Sequence, residues 1–326
     1  MRILAGDIGG TSTRLAIFDH AGKSFNPAAE QSYPSREHSD LKEIVNKFFT
    51  AHSRPVDCAC FGIAGPVKHG RVEATNLPWI VDAEELAGEM GLSAVGLIND
   101  LEANAWGVAA LEEKDFIVLN EGAPDAVGNA AIISAGTGLG EAGLYWDGKQ
   151  HHPFACEGGH ADFAPSSELE AELLRYLWTR FEHVSYERVL SGPGLHNIYQ
   201  FLRDTGRGEE PAWLRDKMRG SDPSVAISEA ALKGTSELCV KALDLFVSVH
   251  GAEAGNLALK VMATSGVFVG GGIAPKILPK LKDRTFMDAF TAKGRFKTFL
   301  EAIPVRVILN EKTPLLGAAR YAAMRC

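Results

Sequence analysis

The sequence predicts an α/β chain of two domains, and three observations carry that prediction. Apolar strands alternate with helical patterns through the first part of the chain, as in domains with a partly parallel sheet. The length, 326 residues, suits two domains at ~100–200 residues each. A strand, glycine turn and second strand also occur twice. GGTSTRLAIFDHAGK near the start and AGTGLGEAGLYWDGK after residue 135 share the plan of buried strand, Gly-x-Thr-type turn, amphipathic strand and a turn ending Gly-Lys, a short internal duplication.

Each element has a local reason. Residues 2–8 (RILAGDI) and 12–19 (STRLAIFD) are β-prone and read as a strand pair around Gly9-Gly10-Thr11, with a turn at His20-Ala21-Gly22. Ser39 is placed to cap a helix over 39–52, and 56–65 (VDCACFGIAG) reads as a buried strand. Asp82 starts a helix closed by Gly91, then 94–99 (AVGLIN) is a buried strand running into the helical LEANAWGVAALEE. In the second half, 129–136 (NAAIISAG) is a strand and Asp147-Gly148 a hairpin turn, followed by helical patterns at 167–182, 195–203, 223–233 and from 236 to about 263. A glycine-rich strand at 265–276 leads to 304–310 (PVRVILN) and a final helix. Pattern alone divides the chain into a small α/β domain, 1–110 plus about 301–326, and a larger α+β domain, about 111–300.

Composition narrows the function. Hydrophobic residues at 46%, charged at 23% and aromatic at 8% exclude disordered and fibrous classes. Thirty-three Lys and Arg against 41 Asp and Glu give a net charge of −8 without a basic run, which argues against nucleic acid as a partner. Backbone N–H groups could still hold a small anion. The five cysteines, Cys58, Cys60, Cys156, Cys239 and Cys326, are odd in number and scattered, which suits a reducing cytosol better than a disulfide scaffold. Asp7 interrupts what would be a signal peptide's apolar stretch, and no apolar run reaches the ~18 residues of a membrane span. A soluble cytoplasmic protein is expected.

Three glycine clusters, at 9–10, 136–143 and 270–272, point to a ligand. They are not a P-loop, because the Gly-Lys-Ser at 22–24 has Ile17 where the first glycine belongs. Gly138, Gly140 and Gly143 match the dinucleotide fingerprint in letters, but the Leu-Tyr-Trp-Asp-Gly that follows reads as a hairpin where a helix N-terminus is needed. Either turn alone would pass for an ordinary tight turn. As a pair, with Thr11 and Thr137 hydroxyls and a third glycine strand, they read as a phosphate cradle.

The motifs GDIGGTSTRLAIFD (6–19), FGIAGPV (61–67), NLPW (76–79), INDLEANAWG (98–107), SAGTGLG (134–140), EGGHADFAP (157–165), YERVLSGPGL (186–195) and GVFVGGGIAPK (266–276) together resemble the bacterial glucokinases of the hexokinase–actin–chaperone ATPase superfamily. The resemblance spans nearly the whole chain. It implies two domains with a ribonuclease-H-like core hinged around a cleft, ATP phosphates on the two hairpin loops, Mg²⁺ carried by the nucleotide, transfer to a sugar 6-hydroxyl, and a homodimer. It also implies that Asp100 is the catalytic base, that Asn99, Glu157, His160 and Glu187 bind sugar, and that Asp7 lies near the metal with no residue as a direct ligand. Gly9, Gly10, Thr11, Gly136, Thr137 and Gly138 would line the phosphates, and Gly271-Gly272 the adenosine.

The chemistry agrees with these roles. Phosphoryl transfer needs positioning, charge stabilisation and one group to accept the hydroxyl proton. A carboxylate following a buried strand, as Asp100 does, suits that last task, although an Asp there also commonly caps the next helix. Carboxylate, amide and imidazole groups suit sugar hydroxyls. For Glu187 the alternative is a solvated helix start capped by Ser185. The cysteine run of a zinc-binding neighbouring branch is missing after His160, and Cys58-x-Cys60 reads as core packing, so no zinc site is expected. Oxidation of Cys156, next to Glu157, would perturb the sugar site. A kinase of the same fold for another hexose or amino sugar, or one using polyphosphate, remains open, since epimer choice rests on hydrogen-bond geometry. A sugar-sensing regulator would place a helix-turn-helix before the first hairpin, where the strand already begins at residue 2.

Overall fold

Two segments with almost no polar residue, Cys58–Ile63 and Ala130–Ala135, are buried along their whole length and form central strands of two separate sheets. Continuous apolar strands of this kind need cover on both faces. The computed structural model describes residues 1–22, 24–52 and 55–326. Lys23, which closes the first copy of the duplicated plan, lies outside them. By contacts the chain divides into two compact units, one of residues 1–113, 153–155 and 310–326, the other of residues 114–152 and 156–309.

The first unit contains strands β1 (Arg2–Ile8), β2 (Ser12–Ala21), β3 (Ser24–Pro34) and β4 (Cys58–Ile63), a small hairpin of β5 (Arg71–Glu73) and β6 (Ile80–Asp82), and β7 (Val95–Asn99). Its helices are α1 (Leu41–Ala51), α2 (Ala83–Met90), α3 (Asp100–Val108) and the C-terminal helix Thr313–Ala323. The sheet order is β3-β2-β1-β4-β7, with β1 and β2 antiparallel and β1, β4 and β7 mutually parallel. Helix α1 starts at Asp40, whose side chain accepts from Glu43 N–H at 2.8 Å, one residue beyond the expected Ser39 cap. Asp82 and left-handed Gly91 bound α2 as the sequence predicts. One face of the sheet buries Leu4, Ile17, Phe61 and Phe48 together, while the other buries Ile3, Ala5 and Cys60 against Trp106 of α3 and Leu315 of the C-terminal helix.

The second unit adds β8 (Phe116–Asn120), β9 (Ala130–Ala135), β10 (Leu139–Trp146), β11 (His151–Cys156), β12 (Gly266–Gly270) and β13 (Val305–Ile308), in the order β11-β10-β9-β12-β13-β8. Strands β9 and β10 are antiparallel, while β9, β12 and β13 run parallel. The duplication therefore extends from the two hairpins to whole sheets: each hairpin strand is followed by two parallel neighbours in the same order. Helices α4 (Glu168–Trp178), α5 (Gly192–Asp204), α6 (Ala212–Gly220), α7 (Pro223–Leu232), α8 (Glu237–Val261), α9 (Leu278–Leu281), α10 (Thr285–Thr291) and α11 (Lys297–Glu301) complete the unit. Its core centres on α8, where Leu243, Phe246 and Leu257 pack with Ile133, Tyr199 and Phe290.

Two expectations change here. The strand at 304–310 was assigned with the first domain, yet β13 pairs with β12 and β8, and the chain joins the first unit only at residue 310. Cys58 and Cys326 are joined as a disulfide, with Cα atoms 6.3 Å apart, because the C-terminal helix packs along the sheet and ends beside the start of β4. Cys60, Cys156 and Cys239 stay free, Cys60 in the core as predicted. No helix among the described residues is long and apolar enough to cross a membrane.

Candidate active site

In the first unit, strands β1 and β7 end at the same edge of the sheet, since Ile8 pairs with Ile63 and Ile63 with Asn99. The carboxyl ends of parallel strands are where open α/β sheets gather ligands. Asp7, Gly9, Gly10, Thr11, Asn99 and Asp100 come together there. Asp7 faces Arg14 across the hairpin. Burial raises its carboxyl to about 6, with the Arg14 guanidinium opposing the shift and the Asp100 charge adding to it. A buried carboxyl near a second acid, with ionisation disfavoured, is a fitting partner for a divalent cation, which would relieve both penalties.

The Gly9–Thr11 turn is tied from behind. Gly9 N–H donates to Ser12 O at 3.0 Å, Ser35 N–H donates to Thr11 O at 3.0 Å, and Ser35 Oγ donates to Gly9 O at 2.7 Å. The Gly10 and Thr11 amides have no acceptor among the described residues, an arrangement that suits an anion. Ser35 was not legible as part of the site because it is brought to the turn by β3.

Asn99 and Asp100 divide the strand-to-helix junction. Asn99 Oδ1 accepts from Leu101 N–H at 2.9 Å and Glu102 N–H at 3.3 Å, and Nδ2 donates to Gly65 O at 3.3 Å. Asn99 is thus the cap of α3, while half-buried Asp100 is its first residue.

The second unit gathers the remaining candidates. The Gly136–Gly138 turn is closed by Gly136 N–H to Gly138 O at 2.8 Å and anchored by Gly192 N–H to Gly136 O at 2.8 Å. Gly136, Thr137 and Gly272 line one cavity of about 470 Å³, with His196, Asp222 and Lys276 on its walls, a size and lining suited to a nucleoside. Gly271 sits at φ +84°, and a Cβ there would strike the Ala135 backbone. The segment after Gly140 is strand β10, so the dinucleotide fingerprint is a hairpin as predicted.

Glu157 and His160 flank a single turn, closed by His160 N–H to Glu157 O at 3.0 Å, and both are exposed. Glu187 is held near them by backbone lacing between the following segments: Phe163 N–H donates to Val184 O and Tyr186 N–H to Ala161 O, each at 3.0 Å. Its Oε2 accepts from Leu139 N–H at 3.0 Å beside the Gly138 turn. That contact replaces the solvated helix start; Ser185 precedes the turn at Glu187 without a side-chain cap. Glu141, Tyr186, Glu253 and Asn256 lie beneath these loops and escaped sequence reading. One signal was present: Glu141 shares strand parity with core residue Leu139.

Comparison with known proteins gives the family. The glucokinase family model matches residues 4–325. A curated glucokinase from Nostoc sp. is 42% identical over 337 aligned residues, covering 98% of this chain and 98% of the relative. The crystal structure of a glucokinase from an Antarctic psychrotroph superposes with a TM-score of 0.85 at 30% identity, covering 99% of each chain. A ROK family glucokinase from Streptomyces griseus, solved in complex with glucose and AMPPNP, superposes with a TM-score of 0.69 at 22% identity over 99% of this chain and 100% of that one, a likeness of fold. The two sheets, with their repeated order, are those of the actin/hexokinase-type ATPase fold. With the model match running almost end to end and the Nostoc relative alike over nearly its full length, the chain belongs to the glucokinase family.

Proposed function

We propose that the chain phosphorylates glucose from ATP, with Asp100 taking the proton of the sugar 6-hydroxyl as that oxygen accepts the γ-phosphoryl group. The observation that carries this reading is the pairing at the end of β7: Asn99 caps α3, and the neighbouring carboxylate of Asp100 acts electrostatically on Asp7. A loose phosphoryl-transfer transition state asks the protein for positioning and for one proton acceptor, and a carboxylate fixed at a helix start supplies the second.

The other residues take roles that follow from their chemistry. Asn99, Glu157, His160 and Glu187 offer amide, carboxylate and imidazole groups to sugar hydroxyls. The backbone amides of Gly10 and Thr11, and those of Thr137 and Gly138, suit phosphate oxygens, and the cavity lined by Gly272 suits the nucleoside, with Gly271 beside it. Bound with the nucleotide, Mg²⁺ would neutralise charge on the phosphates, and Asp7 is the carboxylate that would stand beside it. Cytoplasmic residence, read from the N-terminal sequence and the cysteine usage, and a homodimer, read from the resemblance and open to light scattering, complete the reading.

A coupled assay of ADP release over a panel of hexoses and amino sugars, with ATP, GTP and polyphosphate as donors, tests the reading. Glucose with ATP is expected to give the highest kcat/KM. A clear preference for another sugar or for polyphosphate would overturn the assignment.

A further inference from the structure

The beginning of β10 is a floor for the turns that carry Glu157, His160 and Glu187. Glu141 lies on it, 1% exposed, on the same strand face as Leu139. On α8 is Glu253, 0% exposed, whose charge acts on the Glu141 carboxyl. A carboxyl buried as completely as that of Glu141, with Oε1 unpartnered among the described residues, favours its protonated form.

Two lysines face Glu253, Lys260 by contact and Lys293 electrostatically. Lys260 Nζ lies 3.0 Å from Glu253 Oε1, and Asn256 Nδ2 donates to Glu253 Oε2 at 2.8 Å and to the Tyr186 hydroxyl at 3.0 Å. Lys293 Nζ donates to Asn256 Oδ1 at 2.6 Å, with Glu170 acting electrostatically on Lys293. From β11, Cys156 Sγ donates to the Glu141 carbonyl at 3.3 Å, and Glu157 acts electrostatically on that thiol. Lys260 acts electrostatically on Glu141 as well, but its ion-pair contact is to Glu253. Burial, and then the Glu253 charge, push the Glu141 carboxyl up to about 8.

The turns rest on this pair. A Cβ at Gly158 would collide with the Glu141 carboxyl, and one at Gly159 with the Leu139 carbonyl, so the turn between Glu157 and His160 lies flat on β10. The Tyr186 hydroxyl, adjacent in sequence to Glu187, accepts from Asn256 Nδ2, which also donates to Glu253. One buried pair thus bears on both sugar-binding loops, one directly and one through Asn256.

We propose that Glu141 and Glu253 are positioning residues for the sugar: Glu141 holds a proton beneath the loops, and loss of that proton to solvent drives the two carboxylates apart and weakens glucose binding. This rests on the assignment of Glu157, His160 and Glu187 to sugar binding. A deprotonated Glu141 would put a second charge against Glu253, whose one ion-pair contact among the described residues is Lys260, and the first element to yield would be the turn packed on it.

The test is the pH profile of glucose KM and kcat from about pH 6.5 to about pH 9.5 in the parent and in Glu141→Gln, whose amide has nearly the same shape, stays neutral and cannot titrate. Parent KM should climb through the alkaline range, by at most about tenfold per pH unit for one linked proton, with a smaller change in kcat. Glu141→Gln should hold the neutral parent's KM across the range; a variant curve that climbs with the parent's, or a parent KM that stays flat, would overturn the proposal. Amide hydrogen exchange of residues 157–163 in the parent, corrected for the intrinsic pH effect, reads the same loosening without a variant. Unchanged protection at alkaline pH would also overturn it. Calorimetric glucose binding separates the outcomes: failure of Asp100 as base leaves sugar affinity readable, whereas glucose bound with Glu157 and Glu187 both dispensable would refute the sugar assignment itself.

Discussion

Asn99 caps the helix that Asp100 begins, its Oδ1 held 2.9 Å from Leu101 N–H while its amide nitrogen reaches the Gly65 carbonyl. This one side chain fixes both the start of α3 and the direction in which the next residue leaves the strand. Asn99→Ala should therefore cost about 1 kcal/mol of stability, the usual effect of losing a cap, and should lower kcat beyond that loss by letting the first turn fray. Asn99→Asp, which keeps an accepting oxygen, should recover most of the stability. Chemical unfolding of the two variants, with kcat at saturating glucose, measures this; equal stability of the alanine variant and the parent would contradict it.

Asp100→Asn keeps the shape of the junction and removes the proton acceptor. Turnover should fall about 10²–10⁴-fold while glucose affinity stays close to that of the parent, since general base catalysis acts on the transition state. Calorimetry and a coupled assay on the same preparation separate the two effects. Near-parental turnover would remove Asp100 from the chemistry.

Much of this arrangement was legible because it is local. The alternation in RILAGDI and STRLAIFD, the Asp82 and Gly91 boundaries and the hairpin after Gly140 each depend on neighbours a few residues away. Adjacent Asn99 and Asp100 could not be separated by sequence, because either side chain can cap a helix and the choice lies in the backbone: Asn99 takes the extended conformation, at φ −63° and ψ 150°, and Asp100 is already helical. Nothing in PVRVILN says which sheet it joins, since an apolar strand carries no address beyond its pattern. Cys58 and Cys326 meet across 268 residues, and Glu253 acts on Glu141 only once the strand and helix that carry them have folded together. The charge of Glu141 in a core-facing strand position was the one local clue to that pair.

Gly271 supports a second test on the nucleotide side. Its φ of +84° is strained for any residue with a Cβ, and the added carbon would meet the Ala135 backbone, which cannot move aside as a side chain could. Ile273 N–H donates to the same Ala135 carbonyl at 3.3 Å, so displacement of this turn should reach the cavity wall at Gly272 and Ile273. Gly271→Ala should raise KM for ATP by roughly tenfold, consistent with about 1–2 kcal/mol of backbone strain, and leave calorimetric glucose affinity unchanged. A KM for ATP equal to the parent's would show that the turn does not bear on nucleotide binding.

His250 makes stability depend on pH at the acidic end. It lies on α8, 0% exposed, with ring centroids 6.0 Å from Phe246 and 5.4 Å from Phe286, and neither ring nitrogen has a partner among the described residues. Burial pushes its imidazolium down to about 4. Below the ordinary histidine value the unfolded chain takes up a proton that the folded chain refuses, so the unfolded state binds more protons and stability falls as pH drops from about 6.5 to about 4. The loss attributable to this group is up to about 3 kcal/mol, and it is absent at neutral pH, where both states carry a neutral ring. His250→Leu, which fills the space without titrating, should unfold in urea at a midpoint less sensitive to acid than the parent's, with the two proteins differing most near pH ~4.5. Parallel midpoint-versus-pH curves for parent and variant would mean that the buried ring does not govern acid unfolding.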